Sequence, residues 1–251
     1  MHSALSFGRP LVFAHRGGSR IGPENTITAF DRGLAAGADG LELDVHLSRD
    51  GVVIVHHDRL LDRTSRATGP LKERTAADLA TLDVPTLREV LERYPQTRLI
   101  VELKEDSGEL ARGVIDEVRR VKAVGRVCLG SFGVPVLRAA RTYEPAIATS
   151  AGQFEVRLAL YRSWIHLSPG RVPYRAFQVP EMSGTTRVVS PRFVRLAHKA
   201  GLVVQVWTVD EPDEIRRLLG WGVDGIISDR PDVAAETVRD WISRRSSVVS
   251  R

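Results

Sequence analysis

With 251 residues, 43% of them hydrophobic and 27% charged, the chain can form one large buried core under an ordinary globular surface. It has no apolar run near the ~20 residues that a membrane-spanning helix requires, and Met1-His2-Ser3-Ala4-Leu5-Ser6-Phe7 lacks the basic and apolar regions of a secretory signal. The net charge of +5 and pI near 9.8 favour anionic partners, but the basic residues are scattered, without blocks or interleaved aromatics, so they favour an anionic small molecule over nucleic acid.

Leu11-Val12-Phe13-Ala14 reads as a buried strand that ends in a tight turn at His15-Arg16-Gly17-Gly18. A loop at 22–26 offers Asn25 or Thr26 as a helix cap, and Ile27, Phe30, Leu34 and Ala35 recur at helical spacing up to Gly37. The strand Leu41–Leu47 follows, then an apolar run 52–55 that ends at His56-His57-Asp58. Residues 58–85 are polar and irregular apart from a short helical piece near Thr75–Leu82. They form an insertion after the second strand region, expected over the mouth of the site, where it would select a head group. Thr86 and Glu89 stand as a capping box for the next helix.

Beyond it the pattern alternates. Strands are expected at 98–104, 126–131, 146–150, 176–179, 202–209 and 225–228, with helices at 109–121, 134–141, 153–162, 191–200, 211–219 and 231–243. Residues 244–251 read as a frayed tail. Eight strand–helix units in this length predict an α/β fold, a (β/α)8 TIM barrel over 1–251, rather than a doubly wound sheet. Cys128 is the only cysteine, which rules out an internal disulfide and suits a reducing, cytoplasmic setting. Val127 and Leu129 beside it mark a buried structural thiol. No signal sets an oligomeric state.

The strand 41–47 is the most informative stretch. Apolar residues hold its odd positions and Glu42, Asp44 and His46 its even ones, so the three polar groups share one face. Such a face is either solvated or compensated, since two buried carboxylates are costly alone and a hard divalent cation takes carboxylate oxygens. Other strand ends add His15, Arg16, His57, Glu102 and Lys104, and a barrel draws its catalytic groups from these ends. Each has a plain structural reading, Glu102 and Lys104 as an ion pair for instance, but their coincidence favours a site. His46 lies further along the rim, which favours a structural role, and His56 should point opposite to His57. His2, His166 and His198 read as surface or local residues.

The motifs His15-Arg16-Gly17, Pro23-Glu24-Asn25-Thr26, Glu42-x-Asp44-Val45, Asp50-Gly51, His57-Asp58, Arg63-Thr64, Pro85-Thr86-Leu87 and Glu102-x-Lys104 resemble those of the glycerophosphodiester phosphodiesterases. The likeness resumes at Ser131-Phe132, Val206-Trp207-Thr208-Val209 and Gly225–Pro231, and is loosest across 150–190. It implies a TIM barrel with Glu42, Asp44 and Glu102 on a divalent metal, Mg²⁺ or Ca²⁺. It further implies His15 and His57 as the acid/base pair and Arg16 and Lys104 on the phosphate of a glycerophosphodiester, which is cut to glycerol 3-phosphate and an alcohol. Trp207 would pack on the glycerol moiety or in the core, Glu24 and Asn25 would back the first loop or cap a helix, and Asp229 would brace the last loop. Two other readings stay open: a lysophospholipase D with Phe154–Ile165 and Phe177–Met182 along an acyl groove, and an inactive barrel that binds phosphorylated ligands.

Overall fold

The computed structural model of the chain describes Leu5 and residues 8–249, with side chains as far as Arg245. In order it runs β1 (Leu11–His15), α1 (Ile27–Ala35), β2 (Gly40–Leu47), β3 (Val53–Val55), α2 (Ala76–Ala80), α3 (Leu87–Arg93), β4 (Arg98–Leu103) and α4 (Gly108–Arg120). Next come β5 (Val127–Gly130), α5 (Val134–Tyr143), β6 (Ala148–Thr149), α6 (Gln153–Trp164), β7 (Ala176–Pro180), β8 (Met182–Ser183) and β9 (Thr186–Arg187). The chain ends with α7 (Pro191–Lys199), β10 (Val203–Trp207), α8 (Pro212–Gly220), β11 (Gly225–Ser228) and α9 (Pro231–Val249).

Eight parallel strands lie in the order β6-β5-β4-β2-β1-β11-β10-β7. The ring closes between β6 and β7 through one bridge, Ser150 with Ala176, flanked by Ala151 N–H to Ala176 O (2.8 Å) and Arg175 N–H to Thr149 O (2.9 Å). Strand parity sorts the residues. Val12, Phe177, Val204 and Ile226 pack outward under the helices, while Leu11, Phe13, Ile100 and Ile227 fill the bore. Cys128 is buried in the same bore, where burial pushes its thiol up to about 12. It is the inert thiol its neighbours suggest.

The helix starts follow side-chain caps. Thr86 and Glu89 form the expected capping box, and Thr75 with Asp78 forms a second one on α2. At α1 the cap is Thr26, whose hydroxyl accepts from Ala29 N–H at 3.2 Å, so Asn25 is free for other work. Two features differ from expectation. The last helix, expected to end at 243, continues to Val249, and no glycine or proline interrupts it after Pro231. Residues 58–85 hold a small core of their own with Ile54, in which Leu61, Leu71, Leu79 and Val84 are buried. Their irregular spacing hid them from any periodicity.

Candidate active site

Parallel register assembles the site at the carboxyl ends of the strands. His15 of β1 pairs with Glu42 of β2, and Asp44 of β2 pairs with Glu102 of β4. Adjacent strands lie ≈ 4.8 Å apart, so these inward side chains must meet. One oxygen each from Glu42, Asp44 and Glu102 falls within 4.8 Å of the others, and no other such acidic, histidine or cysteine group occurs among the described residues. The donor set, carboxylate oxygens alone, fits a hard divalent cation. Lys104 Nζ stands 3.3 Å from both Asp44 Oδ1 and Glu102 Oε1.

The three carboxylates crowd one another electrostatically. Burial, then the charges of Asp44 and Glu102, push Glu42 up to about 8, and burial also raises Glu102. The Lys104 ammonium loses water but gains two carboxylates, and its proton is held more tightly than usual.

The first loop is shaped for this cluster. Arg16 takes a left-handed backbone (φ 52°), as does Asn25 (φ 58°), a conformation that costs a non-glycine residue energy and persists where the surroundings enforce it. Arg16 N–H donates to Glu42 Oε2 (3.1 Å), and Asn25 N–H donates to Arg16 O (2.9 Å). Asn25 Nδ2 donates to Asp44 Oδ2 at 2.9 Å, so Asn25 orients a carboxylate of the cluster rather than capping a helix. Glycine is required next: a Cβ on Gly17 (φ +86°) would lie 2.8 Å from Ala29. The Arg16 guanidinium donates to Glu24 Oε1 (3.1 Å), while its buried Nε lies 3.4 Å from Asp44 Oδ2 without a hydrogen bond.

Each flanking imidazole has a carboxylate on Nδ1. His15 Nδ1 meets Asp229 Oδ1 at 2.6 Å, and its Nε2 faces Glu42 Oε2 at 3.8 Å. Burial opposes its protonation, but Glu42 and Asp229 outweigh that and raise its pKa. His57 Nδ1 meets Asp58 Oδ1 at 2.6 Å. Asp58 is tied to Arg63 (2.6 Å), and Arg63 forks onto Glu24 with two 2.7 Å bonds. The Arg63 guanidinium, more than the His57 contact, holds Asp58 well below the usual carboxylate range.

Sequence reading undervalued Asp229 and missed the Asp58–Arg63–Glu24 chain. The structure sets residues 15 and 229 side by side because β1 pairs with β11, with Ala14 opposite Ser228. His46 is buried and spends both nitrogens on structure, Nδ1 on Glu105 and Nε2 on His57 O, each at 3.1 Å. His56 is buried against Asp58 O and Thr64 Oγ1. His198 pairs with Asp224, His166 is exposed, and His2 lies outside the described residues.

A cavity of about 390 Å³ opens over the cluster, with His15, Arg16, His57, Lys104 and Trp207 in its walls. Trp207 packs edge-on against Phe132, ring centroids 6.1 Å apart. No residue of 58–85 lines the cavity, so the insertion lies beside the site rather than in its wall. The walls above the cluster come from α6 and from the β8–β9 hairpin. The insertion reaches the site only through Asp58 and Arg63.

A parallel eight-stranded barrel with acidic, basic and imidazole groups converging at its carboxyl end has the architecture of a TIM-barrel enzyme. A profile of the Glycerophosphoryl diester phosphodiesterase family matches residues 15–233. A glycerophosphodiester phosphodiesterase of Caldanaerobacter subterraneus subsp. tengcongensis is 32% identical over 250 residues, 92% of this chain and 98% of that one. The crystal structure of glycerophosphodiester phosphodiesterase from Agrobacterium tumefaciens superposes with a TM-score of 0.76 at 29% identity, covering 90% and 99% of the two chains. A phosphodiesterase of Oleispira antarctica, solved with the product sn-glycerol-3-phosphate, shares the fold with a TM-score of 0.76 at 23% identity, covering 92% and 97%. The chain belongs to the glycerophosphoryl diester phosphodiesterase family and is a phosphoric diester hydrolase.

Proposed function

We propose that the protein hydrolyses glycerophosphodiesters to sn-glycerol 3-phosphate and an alcohol such as choline or ethanolamine, with a divalent cation and two histidines. The observation that carries this is the pair of carboxylate-backed imidazoles, His15 and His57, flanking the Glu42, Asp44 and Glu102 cluster in one cavity. Mg²⁺ or Ca²⁺, held by those three carboxylates, would neutralise non-bridging phosphate oxygens. Arg16 and Lys104 sit beside the cluster to hold the same anionic group. The carboxylates on Nδ1 orient both rings and leave each Nε2 for proton transfer. One imidazole takes a proton from the attacking oxygen; the other gives one to the departing alkoxide. Glu24 and Asn25 position Arg16 and Asp44, and Trp207 with Phe132 offers an apolar wall to the glycerol moiety.

The product bound by the Oleispira antarctica phosphodiesterase supports this choice of product. We place the reaction in the cytoplasm, where a chain with one thiol needs no oxidising compartment. Glycerophosphocholine turnover should vanish in EDTA and return with Mg²⁺ or Ca²⁺; full turnover after chelation and dialysis contradicts the metal. A lysophospholipase D reading rests on the apolar wall of Val156, Leu160, Tyr161 and Trp164. It takes precedence if lysophosphatidylcholine turns over faster than glycerophosphocholine.

A further inference from the structure

Helix α6 is apolar on two sides. Its inner face buries Ala159, Leu160 and Ser163, and Leu160, Tyr161 and Trp164 wall the cavity. Its outer face and the turn that follows it are apolar as well: Phe154 is 66% and Ile165 67% exposed, with Leu158, Tyr161, Trp164 and Leu167 each about half exposed. Residues 154, 158, 161 and 165 recur at four- and three-residue steps and form one stripe. Tyr161 belongs to both the stripe and the cavity wall, so the exposed apolar surface continues into the site. A helix on a water-exposed barrel exterior needs only one apolar face; α4, by contrast, turns Glu109, Arg112, Asp116 and Arg120 outward or to its edges.

The charge of the segment that carries the stripe selects the occupant. Between residues 145 and 180 the sole acidic residue is Glu155, and Arg141 neutralises it at 2.8 Å. The same stretch carries Arg157, Arg162, Arg171 and Arg175, and Arg157, Arg171 and Arg175 are exposed and without an ion pair among the described residues. Two such basic surfaces repel each other, whereas an anionic bilayer attracts them and accepts the Phe, Tyr, Trp and Ile side chains at its headgroup boundary. We propose that the α6 stripe docks the enzyme on an anionic lipid surface, with the mouth of the cavity held against the headgroup layer.

Co-sedimentation of the full chain with vesicles of phosphatidylglycerol and phosphatidylcholine, and of phosphatidylcholine alone, tests this without any turnover. The native chain should sediment with the anionic vesicles and be released by salt. The Phe154→Ser, Leu158→Gln, Ile165→Ser variant removes three inserted side chains outside the cavity wall. It should bind roughly a hundredfold more weakly, about fivefold per side chain, while keeping glycerophosphocholine turnover and circular dichroism. Arg171→Glu with Arg175→Glu should weaken anionic binding independently, should the first variant fail to fold. No sedimentation of the native chain, or equal binding by both variants, overturns the proposal. So does self-association that the stripe variant abolishes in the absence of vesicle binding, which would assign the stripe to a second copy. A chain that docks yet does not turn over glycerophosphocholine refutes the proposed substrate and leaves the docking standing.

Discussion

The two imidazoles differ in what surrounds them, and the difference makes them separable. His15 is held between Asp229 and Glu42, which raise its pKa against burial. Asp229→Asn keeps the hydrogen bond and removes one charge, so, with His15 in its proposed role, one limb of the kcat/KM profile should move to lower pH. An unmoved limb would detach Asp229 from the proton chemistry. His15→Ala and His57→Ala should each lower kcat by about 10²–10⁴ with melting little changed, since both sit at the rim rather than in the apolar core; undiminished turnover in either removes that ring from the mechanism. Strand parity alone placed Glu42 with Asp44 and Glu102 with Lys104. The His15–Asp229 pair spans 214 positions, and no local pattern reports such a contact.

At the scale of elements, what the sequence shows depends on length and regularity. The strands of four or more residues and the capped helices announce themselves through parity and through Thr86 with Glu89. The β8–β9 hairpin has two residues per strand, too short for alternation to register, and the insertion's core is built from isolated leucines. That core is separate from the barrel's two main clusters. Leu79→Ala should therefore cost about 2–5 kcal/mol, as for other buried leucines, but locally. Amide exchange should rise across 58–85 while β2 and β4 stay protected. Because Asp58 and Arg63 belong to this segment and steady His57, kcat should fall with it; equal loss of protection in the barrel strands would show one cooperative unit instead.

For the whole molecule, the arithmetic of eight units was enough to predict a barrel, but closure through the two-residue β6 rests on register that only the assembled sheet reveals. If the proposed cation binds, the assembled bore should tie stability to it. In the folded chain burial, then the charges of Asp44 and Glu102, raise the Glu42 pKa to about 8, whereas the unfolded chain has the ordinary carboxylate value. The folded state binds more protons across that window, so metal-free stability falls as pH rises through it. A cation on the proposed cluster would need the carboxylates ionised, so its stabilisation should grow over the same range. Mg²⁺ should raise Tm little at about pH 5 and by several degrees at about pH 8, at roughly 2–4 °C per kcal/mol for a chain of this size. Without metal at the higher pH, Glu42→Gln should melt above the native protein, be indifferent to Mg²⁺ and be inactive, because it keeps an acceptor for Arg16 N–H but sheds the buried charge. A Mg²⁺ effect that is flat with pH, or a Glu42→Gln variant that melts lower than native, would mean that the carboxylate cluster is compensated by Arg16 and Lys104 alone.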